Sequence, residues 1–355
     1  MEIKSRVLVS ANDLKKLSVN ILKNCGLSYN HANIIADVLV RADLRGVESH
    51  GITRLPIYIK RLKLGLIKGR PEIKKVREGE GFALIDGDNG FGQIVTYMAM
   101  KEAIEKAKKV GVGFVTVRNS NHFGMAAYYP MMALMHDMIG ICSTNAFPTM
   151  APWGGVSRKI GNNPLSIAVP TGKYPPFVLD MAMSVVARGK IRLAAQENKK
   201  IPKEWAINEK GEATTDPIEA LKGFVLPIGG YKGYGLALVM DILSGVLAGG
   251  KSNGQVNSLY ANLNESQGVC HFTAAIDVSA FMEVKDFKMR MDSFIEQIKT
   301  SNLARGSSKI YIPGELEFEE ENRRKCQGIP VPCTLWEDLQ KLEQNPEYEI
   351  PVSAH

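Results

Sequence analysis

The chain has 355 residues, 45% of them hydrophobic and 23% charged. That is ample material for a large core in one large domain or two, and it excludes a disordered chain. The formal charge is +7, but the lysines lie scattered and often beside glutamates, as in Lys101-Glu102 and Glu105-Lys106; this argues against a nucleic-acid face and for a surface that attracts small anions.

Ser10-x-x-Asp13 reads as a helix start, with Leu14, Leu17, Ile21 and Leu22 at helical spacing and Gly26 as the stop. A second helix is predicted from about Asn30 to Leu44, ended by Gly46, which leaves His50 on a turn. A third runs from Leu55 to Leu66, with Pro56 in its first turn. The pattern then changes near residue 75. Phe82 to Gly87 reads as a strand entering a turn, Thr96 to Lys109 as a helix, and Gly113 to Val117 as a buried strand with His122 in the loop beyond it. A helix over Ala126 to His136 leads to strands at Ile139 to Ser143, Ser166 to Val169 and Phe177 to Leu179. Gly229 to Gly235 opens a helix, Cys270 to Ile276 is a strand, and Val284 to Thr300 is an amphipathic helix. The tail from Gly314 to Glu343 is charged and helical, broken by Pro330 and Pro332. Alternating strands and helices predict an α/β sheet, whose ligands gather beyond strand ends; His122, Asn145 and Asp180 sit at such ends. Residues 1–75 are expected to form a helical region joined by 305–355, with 76–304 as an α/β cofactor-binding domain.

The five cysteines are odd in number and form no CxxC pair, which favours free thiols in a reducing compartment. The start, MEIKSRVLVSAND, has no apolar run of signal-peptide length. The longest apolar stretch, Tyr234 to Gly250, is interrupted by Asp241 and glycines, so no bilayer span is expected. A cytoplasmic location follows as an expectation.

Two histidines stand in settings suited to proton transfer: Glu48-Ser49-His50-Gly51-Ile52-Thr53-Arg54 and Asn119-Ser120-Asn121-His122-Phe123-Gly124. Arg54 lies four residues and Tyr58 eight beyond His50, so a helix beginning there would put them on one face. An arginine fork suits a carboxylate, and a proton donor beside one is what a 2-oxo or 2-hydroxy acid requires. The bland alternative is a solvated surface histidine. No G-x-G-x-x-G follows a strand, and no Walker A lysine motif is present. Gly229 to Gly235, with Lys232, is the local candidate for a phosphate-binding helix N-terminus, set against an ordinary glycine-rich turn. No HxH or HExxH spacing supports zinc, and no metal is expected. A G-x-S-x-G elbow is missing too, which disfavours a serine hydrolase.

Seven blocks together carry a resemblance: ADLRGVESHGITRL at 42–55, ALIDGDNGFGQ at 83–93, RNSNHFG at 118–124, GNNPLSIAVP at 161–170, LDMAMSVVARGKI at 179–191, GYKGYGLALVMDILSGVLAGG at 230–250 and IPGE at 312–315. In this order they resemble the malate/L-lactate dehydrogenases that lack a Rossmann fold, a family that includes L-sulfolactate and ureidoglycolate dehydrogenases and 2,3-diketo-L-gulonate reductase. The resemblance implies a mixed sheet in a three-layer α/β/α arrangement, NAD or NADP as cofactor, and a homodimer. It implies a cofactor path along Leu179, Asp180, Met181, Ala182, Met183 and Ser184, meeting Lys232-Gly233 and Pro313-Gly314-Glu315. It assigns acid/base roles to His122 or His50, and substrate-side positions to Ser49, Arg54, Tyr58 and Lys190. His122 is favoured as proton carrier because its loop follows a buried strand. L-malate is the expected substrate; L-lactate, L-sulfolactate, ureidoglycolate, or another 2-oxo acid of the same family are the alternatives. A non-catalytic nucleotide-binding protein is the rival from another class.

Overall fold

The computed structural model describes residues 6–351. Seven strands make one mixed sheet, in the spatial order Lys74–Glu78, Phe82–Asp86, Val112–Ser120, Val269–Asp277, Met138–Thr144, Leu165–Val169, Phe177–Met181. Phe82–Asp86 and Val112–Ser120 run parallel, and the other neighbours pair antiparallel. The central strand, Val269–Asp277, is buried without a break over 269–275, so both of its faces are covered. Helix Gly92–Val110 packs on one face, its Val95, Ala99 and Ala103 in a cluster with Val115, Val117 and Ala275. On the opposite face Gly250 lies so close to Cys270 that a Cβ there would sit 2.4 Å from the sulfur. The layering is α/β/α.

The N-terminal segment folds largely as its spacing predicts. Ser10 caps helix Ala11–Asn24 by accepting from the Asp13 N–H, and Ser28 does the same for Tyr29–Leu44. The C-terminal tail returns to this region. Strand Ile329–Pro332 pairs antiparallel with Arg6–Val9, and Leu339 and Leu342 of helix Cys333–Gln344 join the same core as Leu14, Ile21 and Ile35. Here Pro330 and Pro332 sit in a two-stranded ribbon, where an edge tolerates a missing N–H. A third core, built on Met150, Ile160, Met183, Ile191, Ala220 and Val225, forms a lobe beside the last sheet strands.

Several elements differ from the prediction, among them three near the sheet and the site. Lys74–Glu78 is a fully exposed edge strand with no hydrophobic alternation to announce it. Helix Gly92–Val110 starts four residues before Thr96, because its first turn rests on the His122 loop: a Cβ on Gly92 would lie 2.1 Å from the Asn121 carbonyl oxygen. The expected helix Ala126–His136 is confined to Tyr128–Ala133 and a 3₁₀ turn at Leu134–His136.

Candidate active site

The turn that carries His50 is two successive 3₁₀ turns, Glu48–His50 and Ile52–Arg54, rather than the start of a helix. It is held from beneath. Buried Asp43 accepts the Ile52 N–H at 2.7 Å. A Cβ on Gly51 would meet the Asp43 carboxylate at 1.9 Å, so only glycine lets the turn settle there. Burial pushes the Asp43 carboxyl up to about 8. Glu48, at the turn's outer end, is gripped by Arg324 at 2.8 Å and Arg6 at 3.0 Å.

His122 arrives from the opposite direction, in the loop after Val112–Ser120. Its N–H donates to Gln267 Oε1 at 3.0 Å, and the Tyr58 hydroxyl lies 2.7 Å from its Nδ1. The Gly124 N–H also approaches the same nitrogen, at 3.3 Å. The His50 ring stacks on that of His122, centroids 5.5 Å apart and 19° from parallel. Ser49 Oγ holds His50 Nδ1 at 2.9 Å. Each imidazole is thus fixed through Nδ1 and keeps Nε2 for a ligand. Enclosure, and then Arg54, pushes His50 down to about 4; enclosure, then His50, then Arg54 hold His122 well below its ordinary value. Both rings are neutral at pH 7.

Arg54 donates from Nε to the Ser49 carbonyl at 2.5 Å and from Nη1 to the Tyr260 hydroxyl, with its guanidinium over the Tyr260 ring at 5.3 Å. Such a stacked arginine is fixed before any ligand arrives. His50, His122 and Arg54 line one cavity of about 970 Å³.

The remaining candidates divide. Leu179, Asp180, Ala182, Ser184, Pro313, Gly314 and Ser49 line that cavity. Asp180 accepts the Ala127 N–H at 2.9 Å. Met181 lies outside the lining and Met183 is buried in the third core, as period-two alternation along an extended segment requires. Tyr58 is buried and reaches His122 instead of the cavity. Lys190 and Lys232 are exposed and outside the lining, and Glu315 is tied to Lys299 at 2.7 Å. Gly233 is a packing glycine: a Cβ there would stand 1.9 Å from the Ile228 carbonyl oxygen. Tyr260, Gln267 and Asp43 were not legible as site residues; Tyr260 and Gln267 sit in stretches without a motif, and Asp43, inside the 42–55 block, supports the site only through the fold. Among the described residues no group of three or more His, Cys, Asp or Glu is placed to hold a metal ion.

A profile of the malate/L-lactate dehydrogenase family matches residues 9–340. The chain belongs to this family. It is 45% identical over 345 residues to a malate dehydrogenase of Pyrococcus abyssi, covering 95% of this chain and 94% of the relative. It is also 45% identical over 336 residues to an L-sulfolactate dehydrogenase of Methanocaldococcus jannaschii, covering 95% and 96%. Among solved structures, sulfolactate dehydrogenase from Methanocaldococcus jannaschii superposes with a TM-score of 0.89 at 44% identity, covering 95% and 96%. Malate dehydrogenase from Entamoeba histolytica does so at 0.90 with 32% identity, covering 98% and 99%. This member of the malate/L-lactate dehydrogenase family is therefore an oxidoreductase, a dehydrogenase of 2-hydroxy acids.

Two predictions concern this site's supports. For His122 to act as a base at Nε2, its own proton must sit on Nδ1, where the Tyr58 oxygen accepts it. Tyr58→Phe is expected to cut the rate of alcohol oxidation about tenfold, the worth of one buried hydrogen bond, with little change in KM. The check is steady-state kinetics in the oxidative direction. His271 lies under the loop, its ring 4.9 Å from that of Phe123, with Nδ1 on Thr144 Oγ1 and Nε2 on Ser120 Oγ. Burial pushes His271 down from 6.5 to about 3. Between those values the unfolded chain binds a proton that the folded form refuses, so this stability is present above 6.5 and lost as pH falls toward 3. Asp43, raised to about 8, acts in the opposite sense, its contribution lost as pH rises toward that value. His271→Gln is expected to flatten the acid slope of unfolding free energy by up to about 1.4 kcal/mol per pH unit, read by urea unfolding between pH 6.5 and 4.5.

Proposed function

We propose that the chain transfers hydride reversibly between a nicotinamide cofactor, NAD or NADP, and a small 2-hydroxy/2-oxo acid, with L-malate and oxaloacetate as its pair. One observation carries the reading: two imidazoles and a stacked arginine share a cavity with the wall Leu179, Asp180, Ala182, Ser184 and with Pro313-Gly314. The cavity's size and its mixture of apolar wall and backbone groups suit an extended dinucleotide beside a small acid. When bound, the nicotinamide supplies or accepts the hydride at the substrate carbon.

The protein's part is positioning and proton transfer. Arg54 grips the substrate carboxylate. His122 takes the hydroxyl proton at Nε2 in oxidation and returns it to the oxygen in reduction. His50 bonds the same substrate and keeps it in register. Held below an ordinary imidazole's pKa by its burial and cationic neighbours, His122 gains proton affinity when a carboxylate lies beside it. Sulfolactate is the second reading, favoured by a relative of equal identity that bears that name.

A homodimer fits the exposed apolar row Leu236, Val239, Ile242, Val246 and Leu247, since large exposed patches mark contact surfaces. Five free cysteines agree with a cytoplasmic setting, and no described helix is long and apolar enough to cross a membrane. The deciding experiment is absorbance of the reduced nicotinamide with oxaloacetate, pyruvate and sulfopyruvate, each run with NADH and NADPH. Oxaloacetate turnover with the highest kcat/KM is expected. Turnover of none of the three overturns the reading.

A further inference from the structure

Besides Arg54 and Arg45, which is paired with Glu321, three guanidiniums line the same cavity: Arg158, Arg188 and Arg192. Arg188 Nη2 donates to the Leu221 carbonyl at 2.5 Å, and Arg158 Nη2 to the Lys222 carbonyl at 2.6 Å. Both hang on the C-terminal carbonyls of helix Pro217–Lys222, which orients them and neutralises none of their charge. Among the described residues neither has a carboxylate partner, whereas Arg41, Arg45, Arg118, Arg323 and Arg324 all do. The three stand close enough for Arg158 and Arg192 to add to burial in lowering Arg188. The like charges of Arg158 and Arg188 on one concave wall are costly together unless an anion offsets them.

The place of this cluster identifies the anion. The cavity wall starts at Asp180, bonded to Ala127 five residues past His122, and runs through Ala182, Ser184 and Val186 to Arg188. With nicotinamide held at the imidazoles for hydride transfer, the other end of a dinucleotide on this wall is its adenosine. Among the described residues Asp180 and Glu317 are the only carboxylates in the lining, and Glu317 helps to raise Asp180, so the acidic groups gather at the near end. A site for NAD places a carboxylate on the adenine ribose 2′-hydroxyl, while a 2′-phosphate takes arginine. A phosphomonoester carries close to two negative charges, which suits several guanidiniums rather than one.

We propose that Arg158, Arg188 and Arg192 form a subsite for the 2′-phosphate of the adenine ribose, so that NADP(H) is preferred over NAD(H). The proposal rests on the nicotinamide reading above and deepens it. It is tested by titrating the full chain with NADPH and NADH, following reduced-nicotinamide fluorescence, for wild type, R188Q and R192Q. The wild type should bind NADPH at least about tenfold more tightly, and each variant should lower the ratio of the two affinities about tenfold, the loss of one charge-assisted contact. 2′,5′-ADP should displace NADPH from the wild type far better than 5′-AMP. Equal wild-type affinities overturn the proposal even if a variant fails to fold. Parallel weakening of both cofactors assigns the cluster to the pyrophosphate instead, and also overturns it. So does an unchanged ratio with a raised KM for oxaloacetate over pyruvate, which would make the arginines a site for the substrate's second acid group. Failure to bind either nucleotide would sink the nicotinamide reading itself.

Discussion

His122→Asn is expected to slow hydride transfer by about 10² to 10⁴, the usual contribution of a placed acid or base, while leaving cofactor affinity near that of the wild type. Asparagine keeps a polar group in the loop but cannot carry a proton through the cycle. The ring is the better braced of the two: a buried tyrosine holds its Nδ1, Gln267 fixes its backbone N–H, and Gly92 lets a helix abut its loop. His50, by contrast, hangs on a turn, its ring held by Ser49 Oγ at Nδ1 and by stacking on the His122 ring. His50→Asn should therefore weaken substrate binding more than the chemical step. Single-turnover hydride transfer separates the two. Should His122→Asn leave that step intact while His50→Asn abolishes it, the roles are reversed.

Arg54→Leu is expected to raise KM for the 2-oxo acid by about 10², from the loss of a charged hydrogen bond worth about 1.5–3 kcal/mol. Lysine should rescue little. It lacks the planar fork, and it could not keep both the Ser49 carbonyl and the Tyr260 hydroxyl while presenting a donor to the ligand. The cost should fall on substrates bearing a carboxylate and spare NADH binding, which isothermal titration can verify. An Arg54→Leu protein with an unaltered KM would mean that another cation grips the acid.

Much of the helical framework could be read from side-chain periodicity, because an amphipathic face is a local property. Ser10 and the rows Leu14, Leu17, Ile21 and Ile35, Val38, Leu39 declare two helices within a few turns of chain. The edge strand Lys74–Glu78 could not be read, since a strand exposed on both faces leaves no alternation. Nor could the mixed order of the sheet. That order depends on Val269–Asp277 inserting between strands more than a hundred residues earlier in the chain, a long-range pairing that no local spacing records.

The same division holds at the site. His50, His122 and Arg54 stood out because histidine and arginine chemistry is distinctive and their neighbours are small and polar. The expected helical register for Arg54 and Tyr58 did not materialise: two 3₁₀ turns aim Arg54 at Tyr260 and turn Tyr58 inward to His122. Lys190 and Lys232 looked suitable by residue type and stand exposed outside the cavity, while Arg188 and Arg192, two places either side of Lys190, face it. Residue type and local order by themselves determined the family, much of the helical framework and the chemistry on offer. Which groups meet was decided only in three dimensions, because a side chain's direction is set by the handedness of its turn and by partners distant in sequence that fill the space around it.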